Sequence, residues 1–484
     1  MTYRAILLSM TLFLAIGCKK ESLYFEGATC IKNISVIDPE KGMIKDQTVI
    51  IQDGKILKVA DSKILTLSSK NNVTDGSGQY MIPGLWDAHV HFAFMEELAP
   101  SMFDLFLAFG ITSVRDTGGK IDFVKSYKDK SLQNPMTSPR VMIAGPLLDG
   151  MPNVYDGSTP ARPPLSVGSS DIAELRKNIN SLIEKDVDLL KAYEMLTPEQ
   201  FEVLNKVARE NGLKVTGHVP LSMDVITASN LGMNSMEHLR NIELSCASNS
   251  EELLEQRKQL LLQGRNDPGG ILRSRIHNAQ RANAVENYSE VKADKVLDAL
   301  FENQTWQIPT LALSTGFTER PFAKAEFQQS YKYLPRTIEQ DWKSSISEVV
   351  KQTPTDFNYE YTDWLLNMVK KINDKDIGIM AGTDCPIFYL TPGRSLHEEL
   401  AVLVKAGLSP LEAIESATIR PAEYFGMEKE LGNVREGMLA DLLILNANPL
   451  DDIKNTTQIN TVIKSGHVMN RSTLDEMLAE LDTK

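Results

Sequence analysis

Between residues 80 and 385 the chain alternates short apolar runs with helical patterns. Tyr80–Leu85, Ile111–Val114, Arg140–Ala144, Val187–Leu190, Leu213–Thr216, Trp306–Leu313 and Ile377–Ala381 read as strands. Ser169–Lys185, Thr197–Asn211 and Pro220–Leu231 read as helices between them. Strands alternating with helices make βα units, and these units make a parallel sheet with helices outside it. Thr197-Pro198-Glu199-Gln200 predicts a helix start, with threonine as N-cap, proline first and glutamine three residues on. Asn211-Gly212 predicts the end of that helix.

The two ends of the chain follow another pattern. Thr48–Ile51 and Lys55–Val59 flank Asp53-Gly54, a hairpin turn signal. Ala440–Leu445 and Thr461–Lys464 are again strand-like. Strand-rich segments therefore bracket the alternating middle. Two stretches, 243–300 and 315–372, are charged, mostly helical by pattern, and longer than simple connections. The last stretch, Ser472–Lys484, predicts a short amphipathic helix on the surface.

Composition narrows the class. The chain has 484 residues, 42% apolar and 24% charged, which excludes disordered, collagenous and multi-span membrane proteins. A formal charge of −13 argues against a nucleic-acid binder, which needs a basic face. Ile6–Ile16 is apolar but too short to span a bilayer, which takes about 20 residues. It reads as the apolar region of a signal peptide, residues 1–17. Ala15-Ile16-Gly17-Cys18 resembles a bacterial lipobox, which would lipidate Cys18 and anchor the mature chain in a bacterial cell envelope. Of four cysteines, three then remain: Cys30, Cys246 and Cys385, far apart and expected to be buried, unpaired thiols.

The chemistry sits at the ends of the apolar runs. There are only seven histidines. His89 and His91 follow the run through Leu85, and residues two apart on a strand share a face. His218 follows Leu213–Gly217, His238 follows Met233–Glu237, and Asp384 follows Ile377–Thr383. α/β barrels build their sites at such carboxyl ends. Imidazole and carboxylate together suit Zn²⁺, with Mn²⁺, Fe²⁺ or Co²⁺ as alternatives.

Pro83-Gly84-Leu85-Trp86-Asp87-Ala88-His89-Val90-His91 resembles the signature of the amidohydrolase superfamily, and Gly437–Ile444 resembles the segment where its members return to a small β-sandwich. The resemblance implies a distorted (β/α)₈ barrel of the TIM type with a composite sandwich built from both chain ends. The expected parts are 18–82 and 426–470 for the sandwich, 83–425 for the barrel with helical insertions near 243–300 and 315–372, and 471–484 as a terminal helix or tail. It also implies that Lys191, closing Asp188-Leu189-Leu190-Lys191, is carboxylated by CO₂ and bridges two metals. His89, His91 and Asp384 would hold one ion, and His218 and His238 the second. The spacings agree with one βα unit per ligand: 27 residues separate Lys191 from His218, and 20 separate His218 from His238. The surplus before Asp384 falls in the two helical insertions, read as lid or wall over the site.

The implied activity is hydrolysis of an amide or peptide C–N bond by a metal-bound hydroxide, with Asp384 as the proton shuttle. The likeness is greatest to the imidazolonepropionase-like and prolidase-like groups, so the expected small-molecule substrate is a dipeptide, an N-acyl amino acid or a cyclic amide. The deaminase branch fits less well, because Gly217-His218-Val219-Pro220 lacks its glutamate and Lys191 has no place there. The alternatives are hydrolysis of a lactone or phosphoester on the same site, or an inactive envelope protein that binds small molecules. Around the site, Arg115 offers a partner for a substrate carboxylate or forms a structural ion pair. Tyr193 polarises a carbonyl or packs, and His397 contacts substrate or caps a helix. His277 and His467 read as structural or solvated. A homo-oligomer is compatible with the sequence, and no nucleic-acid partner is expected.

Overall fold

The computed structural model describes residues 22–482, so the signal segment and Cys18 lie outside the described residues. Strands from both chain ends form one eight-stranded sheet. Leu442–Leu445 runs antiparallel to Tyr80–Pro83, with Leu443 opposite Ile82. Beyond it lie Ile459–Lys464 and His467–Asn470. On the other side lie Thr29–Asp38, Gly42–Gln52 and Lys55–Asp61. Asp53 and Gly54 both have positive φ, 51° and 78°, as the tight hairpin turn predicted there requires. Thr29–Asp38 bends where its pairing slips between Ile31 and Val36. Its first half pairs with Asn72–Asp75 and its second with Tyr80–Pro83. Such a bulge curls a sheet and lets one strand serve two neighbours. Ile31, Val49, Ile51, Met81, Leu442 and Ile463 pack on one face, and Cys30, Ile50 and Leu65 on the other.

The middle of the chain surrounds a ring of parallel strands. Leu85–Val90, Ile111–Asp116 and Arg140–Ile143 pair in sequence order. Leu189–Ala192 pairs with Lys214–Gly217, and Ser235–Glu237 with Trp306–Ile308. Single bonds join these sheets: Asp188 N–H to Ile143 O at 2.9 Å, and Asn234 N–H to Val215 O at 2.8 Å. Residues 377–385 take the eighth place. They receive Ala88 N–H at Ala381 O (2.9 Å) and Gln307 N–H at Gly378 O (2.8 Å), and Asp384 N–H donates to His89 O (2.7 Å). The ring is thus a distorted barrel whose ladder is interrupted.

Three elements differ from the sequence expectation. The run Trp306–Leu313 is a strand only over Trp306–Ile308, and Leu311–Ser314 is a helical turn. Pro309 has no N–H to continue a ladder. Ile377–Ala381 is bridged to Gln307 but forms no regular strand. Its glycines admit close neighbours instead. A Cβ on Gly378 would lie 2.4 Å from the Trp306 ring, and one on Gly382 2.8 Å from His89 Cβ. The helix expected over Pro220–Leu231 is Val225–Asn230, because Asp224 caps it by accepting Thr227 N–H. The helix Pro198–Glu210 starts with the capping box read from Thr197 and Gln200.

Both long stretches are helical. The first holds Ser250–Gln263, Gly269–Glu286 and Glu290–Glu302, and the second Arg336–Val349 and Asp356–Asp374. The terminal helix Arg471–Asp482 is no solvated tail: Leu474, Leu478 and Leu481 are buried on one stripe. Cys30, Cys246 and Cys385 are buried and unpaired.

Candidate metal centre

His89 is the penultimate residue of the strand Leu85–Val90, and His91 follows it. Asp87, two residues before His89, is fully buried and fixes this end of the strand. It accepts His89 N–H at 3.2 Å, Thr383 N–H at 3.0 Å and the Thr383 hydroxyl at 2.7 Å. One carboxylate thereby ties the first strand to residues 383–384. Burial pushes its carboxyl up to about 7, against the hydrogen bonds that favour its ionised form.

Three ligand atoms converge where these segments meet. His89 Nε2 lies 3.3 Å from His91 Nε2, and Asp384 Oδ1 lies 3.2 Å and 3.0 Å from them. Tetrahedral ligands at about 2.05 Å from Zn²⁺ would stand about 3.3 Å apart. All three residues are buried. Asp384 Oδ1 makes no well-directed hydrogen bond despite its burial, nor do His89 Nδ1 and Glu237 Oε2. Buried polar atoms are rarely left so. A divalent ion fits this set of donors.

His238 and His218 complete the ring of imidazoles. The His238 ring centroid is 4.9 Å from those of His89 and His218, and its Nε2 is 3.6 Å from Asp384 Oδ2. Two histidines have Nδ1 engaged by an oxygen that only accepts. His218 Nδ1–H donates to Glu194 Oε1 at 2.6 Å, and His91 Nδ1–H to Gly118 O at 3.4 Å. His238 Nδ1 meets Thr310 Oγ1 at 2.6 Å. Tying Nδ1 leaves Nε2 with its lone pair toward the centre, the usual arrangement behind a metal-ligating histidine. Burial holds the His218 imidazole down to about 3, so it is neutral at pH 7.

Lys191 reaches the same place from the strand Leu189–Ala192. Its Nζ is 2.8 Å from Glu237 Oε2, which also lies 3.8 Å from His89 Nδ1 and 3.9 Å from His218 Nε2. Glu237 was not among the residues expected from sequence. Alternation along a strand puts Glu237 and His238 on opposite faces. His238 instead has φ of 61°, a left-handed backbone that turns its side chain to the centre beside Glu237. Asp384, with φ of 65°, is turned in the same way. Burial would raise the Glu237 carboxyl, but His89, Lys191 and Arg115 outweigh it and hold it well below the usual range.

The peripheral expectations divide. Arg115 does not reach the cleft. It is enclosed, donating to Ala88 O, Thr216 Oγ1 and Ser235 Oγ, with Glu237 Oε1 at 3.3 Å, so it is the structural ion pair. His397 is also away from the centre, buried against Phe109 O and Thr456 Oγ1 at 2.9 Å each. Tyr193 does line the cleft, its ring 4.5 Å from that of His218. His277, from the helix Gly269–Glu286, donates through Nε2 to Glu194 Oε2 at 2.6 Å. Arg273 of the same helix donates through Nε to Glu194 Oε1 at 2.9 Å. Sequence reasoning missed Glu194, Arg240, Arg273 and Tyr155, because three of them stand on loops and Arg273 stands in an insertion, outside the strand-end pattern. The cleft over the centre has a volume of about 30 Å³. That is room for a water or two.

Comparison with known proteins bears on the family and the fold. Residues 363–469 match the Amidohydrolase family. An adenine deaminase of Roseobacter denitrificans is 28% identical over 111 residues, 23% of this chain and 18% of that protein. The chain spans less than a fifth of the length of the curated relatives it matches. Among solved structures, a Xaa-Pro dipeptidase with bound methionine in its active site superposes with a TM-score of 0.64 at 17% identity, covering 92% of this chain and all of that one. A bottromycin amidohydrolase superposes with a TM-score of 0.67 at 19% identity, covering 94% and 90%. At such identities the likeness is one of fold.

Proposed function

We propose that this member of the amidohydrolase superfamily hydrolyses amide or peptide C–N bonds with one or two divalent ions, zinc first among them. The observation that carries the reading is the convergence of His89, His91 and Asp384, buried and with ligand atoms 3.0–3.3 Å apart. These three would hold one ion, and His218 with His238 a second. Lys191, as a carbamate, would add ligand oxygens to this set, which requires its ammonium to leave Glu237, lose its protons to solvent and add through nitrogen to CO₂. A bound divalent ion supplies acidity, bringing the pKa of a coordinated water from 15.7 toward about 7, and polarises a carbonyl.

The chain's own residues do the rest. Asp384 is the base and then the acid. Burial would raise its carboxyl, but His89 and His238 hold it well below the usual range, so it starts ionised and able to take a proton. It then returns that proton to the leaving amine. Glu194 and Thr310 keep His218 and His238 oriented through Nδ1. Tyr193 stands beside His218, where a substrate carbonyl would lie. The fold neighbour named as a Xaa-Pro dipeptidase supports a peptide or N-acyl amino acid as the substrate class. The lipobox-like Gly17-Cys18 supports a location in a bacterial envelope, and Cys18→Ser should move the protein from the membrane to the soluble fraction.

The test is a screen of dipeptides, N-acyl amino acids and cyclic amides with zinc- or manganese-loaded protein, wild type beside Asp384→Asn. Turnover in the wild type and its loss in the variant is the expected result. Equal turnover in both removes Asp384 from the mechanism. Metal content below half an equivalent after loading, unchanged in His89→Ala, removes the metal.

A further inference from the structure

Two arginines share the cleft with the histidines, and neither belongs to the ligand set. Arg240 stands two residues after His238, and Arg273 comes from the helix Gly269–Glu286 of the first insertion. Both line the cleft together with Tyr155 and Tyr193. Among the described residues, Glu194 is the one carboxylate within ion-pair distance of either guanidinium, 2.9 Å from Arg273 Nε and 3.7 Å from Arg240 Nε. Glu194 is also shared with His218 and His277. The Arg240 guanidinium makes no hydrogen bond among the described residues, and its buried Nε is unsatisfied. Its side chain is only 24% exposed. Two positive charges therefore face one negative charge in a nearly closed cleft, with guanidinium donors to spare.

Leaving such donors unpaired is costly in a site of low dielectric. A carboxylate is the group that satisfies them, because its two oxygens match the guanidinium fork. We infer that Arg240 and Arg273 form a carboxylate subsite, and that the substrate is an amide carrying a free carboxylate close to the scissile bond. This rests on the hydrolase reading and narrows it. Dipeptides and N-acyl amino acids carry such a group, and neutral cyclic amides do not. Arg115, the arginine expected for this task, is sealed beneath the centre with its donors used. Arg273 arrives on an insertion, so the helical insertion completes the recognition surface.

The experiment compares N-acetyl-L-leucine, N-acetyl-L-phenylalanine and N-acetyl-L-proline with their carboxamides on zinc-loaded protein. Binding is read by calorimetry, and amine release is followed in the same samples. The expected result is that the free acids bind at least tenfold tighter than the amides. In Arg240→Gln the preference should fall below threefold, and Arg240→Lys should restore part of it. Arg273→Gln should act likewise, but the Arg240 guanidinium makes no hydrogen bond to the described residues and so carries the test by itself. Equal binding of acid and amide, no binding of any acid, or an unchanged preference in Arg240→Gln would overturn the subsite. If the preference and its dependence on Arg240 hold while no amide is cleaved, the subsite stands and the hydrolase reading falls. If amides are cleaved with no preference for the acids, the hydrolase reading stands and the subsite falls.

Discussion

Two arginine–glutamate systems lie a few residues from the same histidines and do different work. Arg115 and Glu237 are sealed, each with no exposed side-chain surface. Arg115 spends its donors on Ala88 O, Thr216, Ser235 and Glu237, all on strands of the barrel. Arg240 and Arg273 share Glu194 at the cleft and keep donors unspent. The first system is closed by residues on strands, which fix its geometry. The second is assembled from a loop after a strand and a helix of an insertion, and it lines the cleft. An enclosed pair with every donor matched holds a fold together. An open pair with donors in excess is built to receive something.

Breaking the sealed pair should have the largest effect. Glu237→Gln leaves Arg115 and Lys191 without their shared carboxylate, and unpairing a buried charge costs about 3–5 kcal/mol. Urea denaturation reads this directly, and a loss under about 1 kcal/mol would show that the pair is not structural. Glu194→Gln tests the open system. It removes the charged acceptor behind His218, and such a change weakens metal binding about 10–100-fold. Competition with a zinc chelator measures it, and unchanged affinity would uncouple Glu194 from the centre.

The third prediction concerns pH. Burial, opposed in part by Glu194, lowers His277 from 6.5 to about 4. Between those values the unfolded chain binds the extra proton, so stability rises with pH across this window and is lost as pH falls from 6.5 toward 4. For this group the loss between pH 7 and 5 is about 2 kcal/mol. Denaturation at both pH values should show that drop shrink by as much in His277→Gln. The smallest effect is expected from Arg240→Gln, which should move stability by less than about 1 kcal/mol. That contrast with Glu237→Gln separates a recognition residue from a structural one, and an equal cost would merge the two systems.

Much of the site was legible because of where its residues fall along the chain. His89, His218, His238 and Asp384 each follow an apolar run, and the end of a barrel strand is where a side chain meets its counterparts. Lys191 was legible only through the resemblance. Glu237 stands next to His238, but alternation assigns the two residues to opposite faces, and only the left-handed backbone at His238 brings them together. Asp87 sat inside the recognised motif without a role, because its partners at Thr383 are 296 residues away. Arg115 and Arg240 both stand near strand ends, and nothing local says which one is enclosed.

The sequence by itself determined the alternation of strands and helices, the strand-rich segments at the two chain ends, and the side chains available at the strand ends. Those are consequences of local periodicity, turn residues and caps. The tertiary structure decided which charges are sealed and which stay open, because that depends on atoms from distant segments filling the space around them. It closed the space over Arg115 with Thr216, Ser235 and Tyr424. It left Arg240 at the cleft, and brought Arg273 and His277 to Glu194 from about 80 residues down the chain.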